Sequence, residues 1–241
     1  MDKLKWCIDY LIKYNHLNIF VKTYNFNTLR ALMNITMPYN ISDEFYKYQD
    51  EILKNRDEMV VDSLDFEYKN NITIYKGDIT LLKCDAIVNA CNETLLGCFK
   101  PLHSCIDNQI HSYAGLEVRR DLMTIMNGEN EKNGSCRMTS AYNLACKYIF
   151  HTVGPQVNGY VTAINKSDLA NCYKSCLNMA ESLNLKTIAF PCISTGVYGY
   201  PKALACDVSY DTVIKFNKNI KIIFNVFTDV DYKLYKDKID K

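Results

Sequence analysis

The first 70 residues carry apolar and aromatic positions at helical spacing, with polar turns between them. The first such stretch runs from Trp6, and Asn27 is the expected N-cap of a second helix over residues 28–35. Ser42 is the expected N-cap of a third helix, since two acidic residues follow it where they favour the helix dipole. We therefore predict a helical extension over residues 1–70 that packs through its apolar stripes.

From residue 71 onwards the pattern changes to short apolar runs that alternate with helical segments. The expected strands contain residues 72–74, 86–88, 142–144, 147–153, 186–191 and 221–227. The expected helices are 103–120, 167–183 with Ser167 as N-cap, 201–216 and a short one from 229, with a loop over 127–139. This alternation predicts an α/β domain over residues 71–241, with helices on both faces of one sheet. Ligands bind beyond the carboxyl ends of strands in such sheets.

The composition is that of an ordinary globular protein, with 48% hydrophobic and 23% charged residues. A net charge of +1 provides no global attraction to nucleic acid or to a membrane. Charged residues punctuate the first twenty positions, so neither a signal peptide nor a membrane span is expected. The eleven cysteines form an odd set. With no secretory signal expected, this predicts reduced thiols and a cytoplasmic location.

Cys98, His103 and Cys105 place two thiols and one imidazole within eight residues. Zinc takes such ligands, and three protein ligands leave a fourth position for water or substrate. The spacing alone is also compatible with unligated thiols or with a redox pair. His111 lies eight residues after His103 and is either a buried structural histidine or a residue that supports the site or contacts substrate.

Two further segments follow predicted strands and carry polar groups. The loop from Ile193 to Pro201 contains two glycines, Ser194 and Thr195, which suit a phosphate or form a plain strand-to-helix turn. Asp78 follows the first predicted strand and is either a turn residue or a ligand contact. Asn89 and Asn92 end the next strand with two amides, which suit either a sugar hydroxyl or the loop itself.

Taken together, these motifs resemble the macrodomain family. The resemblance rests on Gly-Asp-Ile-Thr at 77–80, Val-Asn-Ala-Cys-Asn at 88–92, Thr-x-x-Tyr-Asn-Leu at 139–144, His-Thr-Val-Gly-Pro at 151–155 and Ile-Ser-Thr-Gly-Val-Tyr at 193–198. The segment 97–111 and the N-terminal extension are similar to the zinc-containing class of microbial protein-ADP-ribose hydrolases. The resemblance implies a three-layer α/β/α fold with a mixed central sheet, a cleft for ADP-ribose and one Zn²⁺ per chain.

The resemblance also implies a role for each matching position. It assigns catalysis to Asn92 and Asp107, and zinc binding to Cys98, His103 and Cys105. It assigns ligand binding to Asp78 and Ile79 at the adenine, to Asn92, Cys105, Ile106 and Asp107 at the distal ribose and diphosphate, and to Ser194, Thr195, Gly196, Val197 and Tyr198 at the phosphates. The sequence departs from the family pattern at Cys91, Cys136 and Ala145, each a small residue in place of another small residue.

The activity implied by the resemblance is zinc-dependent removal of mono-ADP-ribose from Asp/Glu or Ser side chains of a modified protein. Three alternatives stay open: a non-catalytic reader of ADP-ribose, an O-acetyl-ADP-ribose deacetylase, and a structural zinc protein that binds nucleic acid. The near-zero charge weighs against the last. A monomer acting in a sirtuin-type ADP-ribosyltransferase pathway, without membrane or nucleic-acid partners, is expected from the family.

Overall fold

The computed structural model describes residues 2–217 and 219–240. Its helices are α1 Lys3–Tyr14, α2 Phe26–Ile35, α3 Asp43–Leu53, α4 Ile106–Ala114, α5 Leu116–Met126, α6 Ala163–Ser182, α7 Lys202–Phe216 and α8 Asp229–Ile239. Its strands are β1 Val61–Asp62, β2 Ile72–Lys76, β3 Leu82–Lys83, β4 Ala86–Cys91, β5 Cys136–Ser140, β6 Tyr148–Val153, β7 Thr187–Phe190 and β8 Lys221–Val226. Short 3-10 turns lie at Lys54–Met59, Ser63–Asp65 and Ile79–Leu81.

The central sheet has the strand order β2-β8-β7-β4-β6-β5. Its neighbours pair in parallel except for β5, which pairs antiparallel with β6 at one edge. β1 and β3 form a separate parallel pair. The predicted mixed sheet is therefore confirmed, and the parallel strands all direct their carboxyl ends to the same edge.

Helices cover both faces of this sheet, which gives three layers. Successive residues of β4 face opposite sides: Val88 packs with α6, α7 and α8, whereas Ile87 packs with α4 and α5. Side chains alternate across a strand with a period of two, so a strand that is apolar throughout must be covered on both sides. The α/β/α fold predicted from the alternation of elements is confirmed.

α1, α2 and α3 form a small bundle with a core of its own. Cys7, Leu11, Leu29 and Phe45 are buried in it, and Leu116 at the start of α5 joins the same cluster. The extension thus shares apolar contact with the α/β part of the chain. The boundary at residue 70 stays a prediction.

Three predicted helix boundaries were wrong, and capping explains two of them. Asn25 rather than Asn27 caps α2, since its side chain accepts from the Thr28 N–H. Thr162 rather than Ser167 caps α6, in a reciprocal capping box with Asn165.

The predicted helix over 103–120 is two helices separated at Gly115. This residue has φ of 105°, outside the range of a right-handed helix. A Cβ at this position would also lie 2.6 Å from the Gln49 side chain of the extension.

The predicted loop over 127–139 is confirmed for residues 127–135 and was wrong for 136–139, and the predicted strand at 142–144 was wrong. β5 occupies residues 136–140, and residues 142–144 form the turn that joins it to β6. Tyr142 has φ of 52°, which excludes strand geometry, and Leu144 N–H closes the turn on the Ala141 carbonyl. The alternation in the strand was hidden because an edge strand has few apolar residues.

No helix among the described residues combines the length and hydropathy needed to cross a bilayer. None of the eleven cysteines is in a disulfide.

Glu117 provides a test of how the extension packs on α5. Its carboxylate is buried and accepts from Gln49 Nε2 at 2.8 Å. Burial raises the pKa of Glu117 to about 7, with Asp50 adding to the effect and Gln49 and Arg120 opposing it. The folded protein therefore holds this proton more tightly than the unfolded chain does.

We expect the free energy of unfolding to fall as pH rises from about 4.5 through 7, by roughly 3 kcal/mol from this group. Glu117→Gln removes that part of the slope, because an amide does not titrate. Urea unfolding at pH 5 and pH 8 measures the difference between the two proteins, and the exposed Glu129→Gln serves as control. Parallel pH profiles for wild type and Glu117→Gln would contradict this expectation.

Candidate functional site

The polar motifs singled out in the sequence converge at the carboxyl edge of the sheet. Asp78 follows β2, Asn92 follows β4, Gly154 follows β6 and the segment 193–199 follows β7. Since these strands run parallel and are hydrogen-bonded in one sheet, their following loops lie side by side. The edge therefore has the position at which α/β sheets bind ligands.

Asp78 is held at this edge by three hydrogen bonds. Its Oδ1 accepts from Thr80 N at 2.9 Å and from Thr80 Oγ1 at 2.6 Å, and its Oδ2 accepts from Arg56 Nη2 at 2.7 Å. The Arg56 guanidinium lies over the Tyr113 ring, 3.6 Å from its centroid. A carboxylate has about four acceptor positions, so one position on Oδ2 is left for a donor from a ligand. Arg56 was missed in the sequence because no motif surrounds it.

The loop over 193–199 is built to display backbone amides. Ser194 takes φ of 66°, and Tyr200 N–H bonds back to its carbonyl at 3.0 Å. The N–H groups of residues 196–198 donate to no acceptor among the described residues. Successive free amides of this kind form a concave site for an anion. This geometry favours the phosphate interpretation over a plain turn.

The loop after β6 holds that loop in place at two points. Val157 N–H donates to the Tyr198 carbonyl at 2.8 Å. A Cβ at Gly154 would lie 2.1 Å from Ser194 Oγ, so only glycine allows this approach. The loop after β6 thus supports the loop after β7.

The three predicted metal ligands come together on the loop before α4. One ligand atom from each of Cys98, His103 and Cys105 lies within 4.8 Å of the others. Cys98 Sγ is 3.5 Å from His103 Nδ1, close to the separation of about 3.6 Å between ligands of a tetrahedral zinc ion. Two thiols and an imidazole are a donor set that suits Zn²⁺, so the residues present fit this ion.

Cys105 is also the N-cap of α4, and its Sγ accepts from Asn108 N at 3.4 Å. Burial raises the pKa of the Cys105 thiol to about 12. The positive end of the helix lies beside the sulfur and partly offsets the cost of a thiolate.

Asp107 lies at the first turn of α4 and is buried, with 4% of its surface exposed. Its Oδ1 accepts from Asn89 Nδ2 at 2.8 Å and lies 3.5 Å from His111 Nε2. Burial raises the pKa of Asp107 to about 6, although Asn89 and Arg119 oppose this. The same burial holds the pKa of His111 well below its usual range, so the imidazole is neutral. His111 is therefore a buried histidine, as the first of its two interpretations predicted, and it lies beside Asp107.

The other predicted site residues occupy different positions at the edge. Asn92 is half-buried, and its amide donates to the Gly97 carbonyl at 3.0 Å while accepting from Thr94. Ile79 is buried beside Asp78, and Ile106 is half-buried at the start of α4. Val197 is 76% exposed at the tip of its loop.

An exposed aromatic residue directly after the strand that pairs with β2 was also missed. Phe227 follows β8 directly and is 82% exposed, and Gly77 N–H bonds to the neighbouring Val226 carbonyl. A flat apolar ring at the same sheet edge as a fixed carboxylate suits a planar base that carries an amine donor. The only sequence signal was an aromatic residue immediately after a buried strand.

Comparison with known families identifies the family to which this chain belongs. The model of the Macro domain family matches residues 88–209, half of the chain. The chain belongs to the macrodomain family. The resemblance read from the motifs is thereby confirmed at the level of family and fold.

Among curated relatives, this macrodomain is 45% identical over 146 residues to a protein from Staphylococcus aureus (strain MRSA252) named protein-ADP-ribose hydrolase. It is 45% identical over 141 residues to a protein of the same name from Treponema medium. The matches cover 58% and 56% of this chain, and 55% and 54% of the relatives. The chain thus spans about half the length of the curated relatives it matches.

Solved macrodomain structures share the fold. The Oceanobacillus iheyensis macrodomain with ADP is 35% identical, with a TM-score of 0.64, over 70% of this chain and 90% of that one. The Trypanosoma brucei macrodomain in complex with ADP is 26% identical, with a TM-score of 0.64, over 88% of this chain and 96% of that one.

Substitution of Gly97 tests how the loop that carries the three predicted metal ligands packs in this macrodomain. It has φ of 89°, and a Cβ there would lie 3.0 Å from the His111 ring. Gly159 has the same φ with nothing within 4 Å, which makes it a matched control. Gly159→Ala should cost about 1–2 kcal/mol from backbone strain alone. Gly97→Ala should cost roughly 1–3 kcal/mol more, because the imidazole must also move.

Denaturant titration of both variants measures this difference. Equal destabilisation by Gly97→Ala and Gly159→Ala would show that the loop and the His111 ring move apart at no cost in stability.

Proposed function

We propose that this macrodomain is a zinc-dependent hydrolase that releases mono-ADP-ribose from Asp/Glu or Ser side chains of modified proteins. The observation that carries the proposal is the convergence of three features at one sheet edge. They are the fixed carboxylate of Asp78, the free amides of residues 196–198, here called the anion cradle, and the ligand set of Cys98, His103 and Cys105. The relatives named protein-ADP-ribose hydrolase support the hydrolytic part. The macrodomains solved with ADP support a nucleotide at this edge.

The edge would bind ADP-ribose along its length. Asp78 would accept from the adenine amino group, with the ring against Phe227 and the backbone of Ile79 beside it. The amides of Gly196, Val197 and Tyr198 would hold the diphosphate, since they point to no partner within the described chain. Ser194 and Thr195 complete this cradle. Such binding fixes the distal ribose at the end of the loop before α4.

The reacting sugar would then lie beside Asn92, Ile106 and Asp107. Zn²⁺ held by Cys98, His103 and Cys105 would supply Lewis-acid polarisation of an oxygen of the ribose or of the ester. Asp107 is fixed through Asn89, and its carboxylate would orient the attacking water or accept its proton. Asn92 holds the shape of its loop through Gly97 and would contact the ribose from there. A metal site open to a ligand distinguishes this proposal from a non-catalytic reader, which does not need one.

Release of free ADP-ribose tests the activity. The chain should be incubated with proteins modified on Asp/Glu, on Ser and on Arg, and free ADP-ribose measured by mass spectrometry. We expect release from the first two and about one zinc per chain by elemental analysis. Cys98→Ala should lose the zinc and at least tenfold in turnover, while Cys136→Ala, a half-buried cysteine on β5, keeps both. Binding of ADP-ribose without turnover in zinc-loaded protein would instead establish a reader.

Arg56 gives a separate test of the adenine end. Arg56→Ala removes one of three bonds that fix Asp78, so the affinity for ADP should fall about tenfold. Because Arg56 contacts Asp78, Thr80 and Tyr113 and none of the predicted metal ligands, turnover at saturating substrate should change little. Calorimetric titration with ADP measures the affinity, and Arg120→Ala, an arginine that contacts Tyr46 instead, is the control. Tighter ADP binding by Arg56→Ala would mean that Arg56 competes with the base.

A further inference from the structure

We propose that the N-terminal extension positions the ligands of the metal centre. Arg30 and Asn34 of α2, acting with Asn108 of α4, hold the backbone of residues 97–105, here called the ligand loop, in the shape that brings its three ligands together. These are positioning residues, because none of them is a metal ligand. The inference deepens the proposed function, since it rests on zinc binding by that loop.

Arg30 reaches from the extension into the ligand loop. Its Nη2 donates to the His103 carbonyl at 3.1 Å and to Asn108 Oδ1 at 2.7 Å, and its Nε donates to Ser112 Oγ at 3.0 Å. The residue is 8% exposed. A guanidinium this buried is tolerated only when its donors are satisfied, so the position of the His103 backbone is coupled to that of α2.

Asn34, one helical turn further along α2, holds Leu102, the residue before His103 in the loop. Its Oδ1 accepts from Leu102 N at 2.9 Å, and its Nδ2 donates to Ser112 Oγ at 3.0 Å. Leu102 has φ of 56°, an uncommon backbone conformation for a leucine that costs energy to maintain. The bond from Asn34 offsets part of that cost and fixes the turn immediately before His103.

Asn108 connects these contacts to the Cys98 side of the loop. Its Nδ2 donates to the Lys100 carbonyl at 3.0 Å and to the Cys98 carbonyl at 3.3 Å, while its Oδ1 receives Arg30. The side chain is fully buried. One amide thus holds two backbone carbonyls before Pro101. The guanidinium of Arg30 fixes which way that amide points and also holds the His103 carbonyl after Pro101.

Arg119 makes a second connection between the extension and the segment before the loop. Its Nη1 donates to the carbonyls of Met33 and Thr36 at 2.8 and 2.5 Å, and its Nε donates to the Leu96 carbonyl at 2.7 Å. The carbonyls at the end of α2 and the Leu96 carbonyl therefore accept from the same guanidinium. Both ends of the ligand loop are tied to the same helix of the extension.

Metal affinity of the full chain tests this role without reference to turnover. Zn²⁺ affinity is measured by competition with a chromophoric chelator, and ligand geometry by the absorption spectrum of the Co²⁺-loaded protein. We expect Arg30→Ala and Asn34→Ala each to lose at least tenfold in Zn²⁺ affinity and to shift the Co²⁺ bands. Arg30→Lys should lie between them and wild type, because an ammonium cannot reach three acceptors as the guanidinium fork does.

Asn15→Ala is the matched control. Among the described residues, the side chain of Asn15 bonds within the extension alone, to the Leu11 carbonyl and Thr36 Oγ1, both at 2.8 Å. It should lower the melting temperature while leaving Zn²⁺ affinity and the Co²⁺ spectrum unchanged. If Arg30→Ala does not fold, Asn34→Ala and Arg30→Lys carry the same comparison.

Two results would overturn the inference. One is wild-type Zn²⁺ affinity and an unchanged Co²⁺ spectrum in both alanine variants, which would leave them a stability role only. The other is a wild-type chain that binds no zinc. Zinc binding that depends on Arg30 in a protein without turnover would instead reject the proposed hydrolase and keep the inference.

Discussion

A charged group that is 2% exposed cannot leave its partners without a large free-energy cost, and Arg119 is such a group. Its guanidinium donates to carbonyls of Met33 and Thr36 on one side and of Leu96 on the other. Burial lowers its pKa only to about 10, so it stays charged at neutral pH. The extension and the sheet edge are therefore held in one relative position, on which the geometry of the ligand loop depends.

The same burial determines the charge of the groups behind the ligand loop. His111 and His151 are both buried, and burial lowers the pKa of His151 to about 3. His111 lies beside Asp107 and His151 lies behind it, against Asn89 and the His111 ring. With His111 neutral, Arg119 is the positive charge that acts on the Asp107 carboxylate. The pKa of Asp107 is thus governed by burial, by one hydrogen bond from Asn89 and by the charge of Arg119, rather than by a direct ion pair.

The sequence predicted what depends on local patterning. Alternating apolar runs predicted the layered sheet, and adjacent ligand types predicted the grouping of Cys98, His103 and Cys105, because both signals lie within short stretches. It did not predict the contacts of Arg30 and Arg56, since each depends on two segments that only folding brings together. Element boundaries were missed for a different reason: a cap or a positive φ overrode the apolar pattern, as in α6 and at Gly115.

Gly154 carries a consequence for how this chain can vary. The loops after β6 and β7 approach so closely there that a single added carbon would overlap Ser194 Oγ and crowd Ile193. A larger residue at 154 is therefore compatible with the fold only when the other loop retreats or loses its side chain. The residues at positions 154 and 194 should therefore co-vary across related sequences. The shape of the anion cradle then depends on both loops together and not on a single motif.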